Sequence, residues 1–474
     1  MLANYKSRPY FKSLILSITC LSLCFTACKK DSKEKDDEES SYEVKKDVRD
    51  SAYLYTQDIY LWDNVLPSIA VFKPRNSADV YEVMDRVRSY QPLDKWSFVE
   101  TKAETEQTEQ GQSTDFGFMI KFATGSATDI RVSYVYANSS AGKAGVKRSW
   151  RINTINDRVI DGRNQTDIDY INNVFFGNPQ SAKFEFIKPD GSSVTLTLQK
   201  NGYGLNTVLF SKVYTKSDKK IGYFVFNEFS GATSVVELVS VISSFQNQGV
   251  TEMVVDLRYN RGGYVSTQDT LANMLAPLNV GRGQKTMYTY KFNDRHKSWN
   301  ETYKFYKTGT LNLSRIIFIV SPSSASASEL LINNLLPVMD VKLVGDTRTY
   351  GKPVGFFPIP VFEYNIFPVS FKTVNSDGNA DFYTGFPVDK YVADDLVHDF
   401  GDEEEANLKM ALNYFATGAF TASAPNKTLS LNSADIQRVN ELNASFADNL
   451  PSVTIENRPL RMPPSVRKLQ RGKN

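Results

Sequence analysis

Apolar residues change their spacing along the chain, and these changes divide it into segments. Between residues 42 and 100 they recur at three-, four- and seven-residue intervals, as in amphipathic helices, and Pro67, Pro74 and Pro92 break the pattern into short pieces. Residues 101–113 are rich in Glu, Gln and Thr and are predicted to form a linker. The next segment changes to strand-like spacing, interrupted by one amphipathic stretch at 166–176. Strands are predicted at 116–122, 130–136, 151–155, 183–187 and 194–198, which together indicate a small barrel-like module.

A later segment contains three Val- and Ile-rich runs, at 253–257, 316–320 and 341–344, that predict buried strands of an α/β core. Each run leads into a loop of unusual composition, and a helix is predicted at 328–336 after the second loop. Loops that leave strand ends on one rim are where an α/β core builds its site. Beyond residue 416 a short helix is predicted at 434–446, and the remaining polar sequence is predicted to be a tail.

The amino terminus has the pattern of an export signal, with a basic start and a short apolar run at 14–25. Residues 25–28, Phe-Thr-Ala-Cys, resemble a bacterial lipobox, which implies that Cys28 is lipidated and becomes the first mature residue. An ordinary cleaved signal is the alternative. Residues 29–41 are densely charged and predict a tether, which is either a solvated linker or part of a surface-export signal.

Composition removes several classes of function. Lys and Arg total 55 against 53 Asp and Glu, so the formal net charge of +2 gives no global footprint for binding nucleic acid. The 3 Cys all lie within the first 28 residues, which leaves the rest of the chain without a disulfide framework or a Cys-rich zinc site. The 2 His, His296 and His398, are too few for a multi-His metal centre.

Ser326 lies at the start of the helix predicted after the second run. Its spacing to Glu329 is that of a capping box, so on pattern alone the simpler interpretation is a helix N-cap. A helix start also presents a hydroxyl and outward-pointing N–H groups, which are the two features that an acyl-transfer nucleophile requires.

A base that could activate this serine is sought among the nearby loops. Lys352 directly follows Gly351 after the third run, and a desolvated lysine can act as a neutral general base; a surface lysine in a turn is the alternative. His296 lies in a polar run that predicts a surface hairpin or loop, and His398 lies beyond the main strands. The pattern therefore favours Lys352 over a Ser-His-Asp arrangement.

Three segments of the barrel-like module resemble PDZ domains. They are residues 116–119 (Phe-Gly-Phe-Met), 140–146 (Ser-Ala-Gly-Lys-Ala-Gly-Val) and 152–156 (Ile-Asn-Thr-Ile-Asn). The resemblance implies that the loop formed by Phe116, Gly117, Phe118 and Met119 binds a peptide carboxylate through backbone N–H groups while the next strand pairs with the peptide. Taken by itself, Gly117 favours a bulge in a barrel strand, whereas the three segments in this order favour the PDZ resemblance.

Three further blocks, at 256–263, 324–329 and 350–352, resemble the signatures of the C-terminal processing (tail-specific) peptidases. The resemblance covers residues 42–416 and implies a crotonase-like mixed α/β spiral core preceded by a PDZ domain. It also implies that Ser326 is the nucleophile and Lys352 the base. The oxyanion donors would be the N–H of Ala327 and that of Gly262 or Gly263, and the reaction would need no metal and no organic cofactor. Phe356 stands where many relatives carry a Gln that orients the dyad.

These features predict a lipid-anchored serine endopeptidase of the cell envelope, most consistent with a Gram-negative bacterium, that cleaves proteins or peptides near free C-termini. The predicted order is a signal peptide at 1–28, a tether at 29–41, a helical segment at 42–110, a PDZ-like domain at 112–200, a catalytic domain at 205–416 and a tail at 417–474. A non-catalytic peptide-binding lipoprotein stays open because of Phe356. A glycan-handling lipoprotein would explain the aromatic residues and the anchor, but not the three blocks.

Overall fold

The computed structural model describes residues 42–421, 433–448 and 454–455 and shows a mixed α/β fold, as the sequence predicts. The predicted signal peptide, lipidation site and tether lie outside the described residues. Within the described ranges no helix is both long and apolar enough to span a bilayer.

The N-terminal segment forms three helices, α1 (Val48–Ile59), α2 (Ile69–Phe72) and α3 (Val80–Ser89). It continues into strand β1 (Phe98–Thr101) and helix α4 (Lys102–Glu109). Strand β1 pairs antiparallel with residues 364–367, far along the chain. The prediction of a linker at 101–113 is therefore wrong. Its Glu, Gln, Lys and Ala residues are good helix formers, and a helix with most of its surface in water has no apolar stripe to reveal it.

Residues 112–204 form the sheet module, an antiparallel sheet of five strands flanked by two helices. Its elements are β2 (Gln112–Asp115), β3 (Phe118–Phe122), β4 (Ile130–Val135), α5 (Ser140–Lys143), β5 (Arg151–Ile155), α6 (Gln165–Phe176), β6 (Ser181–Ile187), β7 (Ser193–Gln199) and β8 (Asn201–Gly204). The five predicted strands and the amphipathic helix are confirmed. The sheet has the order β3-β4-β5-β6-β7, so β3 lies at an edge, and β2 pairs separately with β8.

The α/β core follows the sheet module. Its elements are β9 (Val208–Lys216), β10 (Lys219–Phe226), α7 (Gly231–Asn247), β11 (Glu252–Asp256), β12 (Gly263–Tyr264), α8 (Val265–Leu275), β13 (Arg282–Lys291), β14 (Thr302–Tyr306), β15 (Arg315–Val320), α9 (Ala327–Leu335), β16 (Asp340–Gly345), β17 (Val354–Gly355), β18 (Ile359–Val361), β19 (Tyr364–Phe367), β20 (Phe371–Asn375), β21 (Lys390–Tyr391) and α10 (Ala406–Thr417). The three predicted buried strands are confirmed as β11, β15 and β16, and the helix predicted at 328–336 is α9.

The central sheet has the order β21-β16-β15-β11-β10-β9 and is parallel except between β9 and β10. It is buried on both faces: on β10, Phe224 packs with residues of α7, α8 and α9, whereas Tyr223 packs with residues of α10. Because β11, β15 and β16 are parallel neighbours, the loops that follow them meet at one edge of the sheet. This arrangement confirms the predicted convergence of the three loops.

A buried ionic cluster joins the sheet module to the α/β core. The Asp394 carboxylate accepts hydrogen bonds from Arg148 (3.0 Å) and Lys121 (2.9 Å) of the module and from Arg258 (3.1 Å) of the core. Arg258 also pairs with Asp256 and Glu405. Burial by itself would raise the pKa of Asp394, but the three cations hold it well below its usual range.

The C-terminal segment contributes helix α11 (Ser433–Asp448) and strand β22 (Thr454–Ile455). The helix predicted at 434–446 is confirmed. The prediction that the rest is a tail is wrong for residues 454–455, which pair with β12. Two residues are too short a pattern to reveal a strand, and their partner is about 190 positions away in sequence.

Candidate active site

Ser326 occupies a strained position between β15 and α9. Its backbone has φ 63° and ψ −115°, a region that a residue with a side chain occupies at a cost of about 1–3 kcal/mol. The side chain is 1% exposed and lies at the N-terminus of α9, where helix N–H groups and the helix dipole favour negative charge. The helix-cap interpretation is therefore confirmed, and the prediction that Ser326 is a nucleophile is compatible with its place at the helix N-terminus.

The loop that carries Ser326 is fixed to the loop that follows β11. Ser324 Oγ donates to the carbonyl of Leu257 (2.8 Å), and Ala325 N and Ser328 Oγ both donate to the carbonyl of Asn260 (3.1 Å each). These contacts join the first and second signature blocks.

Lys352 is 1% exposed, so the alternative of a surface lysine is wrong. Burial, reinforced by the positive charge of Arg261, lowers the pKa of Lys352 well below its usual range. Its Nζ lies 4.3 Å from the centroid of the Phe356 ring, which is itself fully buried. A lysine whose pKa is lowered loses its proton more readily, and its neutral amine can accept a proton.

Glu329 connects the nucleophile loop to the lysine loop. Its Oε2 accepts hydrogen bonds from the backbone N–H groups of Ser326 (2.9 Å) and Lys352 (2.8 Å). Its Oε1 accepts from Thr349 Oγ1 (2.6 Å) and Gly351 N (2.7 Å). Because one oxygen atom receives both backbone N–H groups, the structure brings Ser326 and Lys352 together. Burial raises the pKa of Glu329, although these donors oppose the shift.

The glycine pair after β11 adopts a backbone that favours glycine, with φ of 106° at Gly262 and 136° at Gly263. The N–H of Gly262 donates to Asn260 Oδ1 (2.9 Å), and its carbonyl accepts from Phe229 N (2.9 Å). The N–H of Tyr264 donates to the carbonyl of Phe229. Because successive residues of an extended strand direct their backbone groups to opposite sides, the N–H and the carbonyl of Gly263 point away from Phe229. Of the two predicted oxyanion glycines, Gly263 is the one with its N–H directed away from Phe229. Ala327 is the first residue of α9 and supplies the other predicted donor.

The two histidines belong to separate contact networks. His296 is buried in a short 3₁₀ helix (Asp294–Trp299) and stacks on Trp299 with ring centroids 4.0 Å apart, so the predicted surface loop is wrong at this position. Aromatic packing overrides the polar character of its neighbours. His398 Nδ1 lies 2.7 Å from Asp395 Oδ2, in a loop. Among the described residues no group of three or more His, Cys, Asp or Glu side chains could hold a metal ion.

The predicted peptide-binding loop lies before the edge strand β3. Gly117 has φ 82°, and a Cβ added there would come within 1.8 Å of Ser139 Cβ. The side chains of Phe116 and Phe118 lie in the core of the sheet module, and Met119 packs against it. The N–H of Gly117 donates to Asp115 Oδ1 (2.5 Å), so a carboxylate from the chain itself already lies against this loop.

A cavity of roughly 230 Å³ lies between this loop and the glycine pair. Phe118 and Met119 line one part of it, and Arg261 and Gly262 line another. Glu228 also faces the cavity, and burial together with nearby Asp115 raises its pKa to about 7. The cavity is a continuous space from the module's edge to the loop that carries the glycine pair.

The sequence does not predict a role in this site for three of its residues. Its pattern predicts Glu329 only as a capping residue, and it assigns no role to Arg261 or Asp115. Each lies within three positions of a named motif residue, which is the only signal that the sequence carries for them.

Residues 220–375 match the model of peptidase family S41. The "Probable CtpA-like serine protease" of Staphylococcus saprophyticus is 26% identical over 268 residues, which cover 55% of this chain and 50% of the relative. The carboxy-terminal processing protease CtpA of Bacillus subtilis is 26% identical over 215 residues, which cover 45% of this chain and 42% of the relative. The chain thus spans about half the length of the curated relatives it matches.

A crystal structure from Bacteroides fragilis NCTC 9343, assigned to the S41 proteases, has the same fold. It superposes with a TM-score of 0.62 at 22% identity and covers 78% of this chain and 97% of that one. The family match includes the loop after β11, Ser326 and Lys352, and so spans the elements that build the site. Residues 220–375 are therefore similar to peptidase family S41, and about half of the chain is similar to the C-terminal processing serine proteases.

Proposed function

We propose that this chain is a serine endopeptidase that cleaves proteins or peptides near a free C-terminus, with Ser326 and Lys352 as a catalytic dyad. The observation that carries the proposal is the Glu329 carboxylate. It holds a strained serine at a helix N-terminus and a buried lysine of lowered pKa through hydrogen bonds to one oxygen atom.

The geometry supports acyl transfer in two steps. Ser326 Oγ attacks the carbonyl carbon of the scissile peptide bond while the Lys352 amine takes the hydroxyl proton. The N–H groups of Ala327 and Gly263 stabilise the oxyanion, and the Lys352 ammonium returns its proton to the leaving amine as the C–N bond breaks. Water then attacks the acyl ester while Lys352 takes its proton, and Lys352 returns that proton to Ser326 Oγ as the ester C–O bond breaks. No step in this scheme uses a metal or an organic cofactor.

The other parts of the proposal rest on the motifs. We assign the sheet module to the PDZ type and the α/β core to the crotonase-like type, with the loop at 116–119 and strand β3 receiving the substrate tail. The lipobox-like residues 25–28 support an envelope location with a lipid anchor at Cys28. No feature of the described surface is assigned to nucleic acid.

The test uses Ser326→Ala, Lys352→Ala and the double variant, assayed for fragments from an unstructured protein. Each single variant should lose at least about a hundredfold in turnover, and the double variant should be little worse, because the pair acts as a unit. Lys307→Ala is the matched control: Lys307 is also buried, burial lowers its pKa to about 8, and its Nζ donates to the carbonyl of Met274.

The outcomes separate the candidate functions. Near-normal turnover in Lys352→Ala together with loss in a His398 variant would disprove the Ser/Lys assignment. If the wild-type chain binds the unstructured protein but produces no fragments, the chain is a peptide-binding lipoprotein, in which Phe356 has replaced the orienting Gln.

A further inference from the structure

The C-terminal segment, residues 433–455, contacts both places that the proposed function assigns to substrate. Helix α11 lies against the edge strand β3 of the sheet module, and strand β22 pairs with the oxyanion loop. The two contacts belong to one short stretch of chain.

The first contact imitates a pairing strand. Asn443 Oδ1 accepts a hydrogen bond from the backbone N–H of Phe122 (2.9 Å), and Asn443 Nδ2 donates to the Phe122 carbonyl (3.0 Å). A peptide added to the sheet edge would make the same two kinds of bond to β3. One side-chain amide therefore occupies the backbone groups that an incoming strand needs.

The apolar side of α11 fills the groove beside β3. Val439, Leu442 and Phe446, spaced three, four and seven residues apart, are buried in the core of the sheet module. The Phe446 ring lies 5.6 Å from that of Phe175 and 4.9 Å from that of Phe176, both on α6. Helix α11 thus occupies the space between β3 and α6.

The second contact lies at the catalytic loops. Gly263 pairs with Thr454 and Tyr264 with Ile455 in a parallel register, on the side of β12 opposite Phe229. On its other side Ile455 forms a bridge with Phe356, whose ring faces the Lys352 amine. Ile455 is 5% exposed, so β22 is inserted between the glycine loop and the residue beside the base.

A cleft between these contacts is also bounded by α11. Asn440 and Ala444 form one side of a cavity of roughly 600 Å³, and Ser323 and Tyr350 of the catalytic loops form the other. The helix therefore borders a cleft that the loops preceding Ser326 and Lys352 also line.

We propose that helix α11 and strand β22 are an intramolecular occupant of the substrate groove, so that a substrate must displace them from β3 and from the Gly263 loop. This inference rests on the proposed function, because the proposed function assigns substrate binding to that groove. The occupied form would be the resting state, and activity would depend on how readily the segment leaves.

The test uses point variants of the full chain. Asn443→Ala removes the two hydrogen bonds to β3, and Ile455→Asp places a charge in the buried β22 contact. Glu441→Ala is the control on the same helix, because Glu441 is exposed and accepts a hydrogen bond from Gln437 within α11. Loss of two such bonds should release the groove roughly tenfold more often.

Two readouts keep the inference separate from the proposed function. The first is the cleavage rate on an unstructured protein, which should rise roughly tenfold in Asn443→Ala and Ile455→Asp and stay unchanged in Glu441→Ala. The second needs no catalysis: in the Ser326→Ala background, a labelled synthetic peptide that copies residues 433–455 should bind the two groove variants roughly tenfold more tightly than the parent.

The combinations of results are distinguishable. Tighter peptide binding without cleavage in any chain would support the occupant and overturn the peptidase proposal. Cleavage with equal rates and equal peptide affinities in all variants would overturn the occupant. Lower thermal stability of both groove variants with no gain in either readout would show that the segment is only part of the folded core, and would also overturn it.

Discussion

Replacing Glu329 by Gln should destabilise the folded chain strongly, even though the two side chains have almost the same shape. The carboxylate accepts four hydrogen bonds, two at each oxygen. Gln keeps one oxygen for the N–H groups of Ser326 and Lys352 and presents its NH₂ group to Thr349 and Gly351. The Thr349 hydroxyl can turn to accept from that NH₂ group, but the Gly351 N–H loses its acceptor, so the free energy of unfolding should fall by about 1–3 kcal/mol.

The assay is urea unfolding at pH 8, with Glu82→Gln as the matched control. Glu82 also closes a capping arrangement, because it accepts a hydrogen bond from Ala78 N at the start of α3, but it is exposed to water. Its substitution should cost at most about 1 kcal/mol. Because burial raises the pKa of Glu329, the folded wild-type chain binds more protons than the unfolded chain at mildly acidic pH and gains stability as the pH falls. Gln does not titrate, so the difference between wild type and Glu329→Gln should grow at mildly acidic pH.

The catalytic consequence should follow the structural one. If Glu329 only positions Ser326 and Lys352, Glu329→Gln should lower kcat more than it raises KM, since the substrate contacts are retained. An unfolding free energy within about 0.5 kcal/mol of wild type would refute the reasoning, because a buried donor without an acceptor destabilises the fold by more than that.

Three other outcomes are expected. Cys28→Ser should move the protein from the membrane fraction to the soluble fraction; retention that resists salt and alkali would exclude Cys28 as the anchor. Since the pKa of Glu228 is raised to about 7 in the folded chain, that chain binds more protons than the unfolded one between pH 4.5 and 7. The free energy of unfolding should therefore fall as pH rises through that window, and fall less in Glu228→Gln, measured by urea midpoints. In the Ser326→Ala chain, a peptide with a free C-terminus should bind about tenfold better than its amidated form. Asp115→Asn should widen that difference because it removes the competing charge at Gly117, and equal affinities in both chains would show that the loop does not read C-termini.

The parts of the fold that the sequence predicts are those that depend on local patterns of apolar residues. Val254 and Val255 of β11 and residues 316–320 of β15 form continuous apolar runs because both faces of the sheet are covered, and such runs are visible without a structure. The run in β16 is apolar except for Lys342, which is partly exposed. Ser326 and Lys352 are recognisable because each follows such a run within a distinctive loop.

The parts that the sequence does not predict depend on contacts between distant residues. Glu329 appears in the sequence as a helix cap, and only the folded chain brings its second oxygen to Gly351, 22 positions away. Asn443 is one polar residue on an amphipathic helix, and its partner Phe122 is 321 positions distant. Helix α4 has no apolar stripe, so its polar residues are indistinguishable from those of a linker.

The ionic cluster around Asp394 affects how the molecule unfolds. Separating the sheet module from the α/β core would take Arg148 and Lys121 away from the buried Asp394 carboxylate. Breaking a buried ion pair in this way costs about 3–5 kcal/mol. The ionic cluster therefore favours states in which the sheet module and the α/β core are both folded or both unfolded. Thermal unfolding of the two parts should be a single cooperative event, with the module and the core sharing one melting temperature.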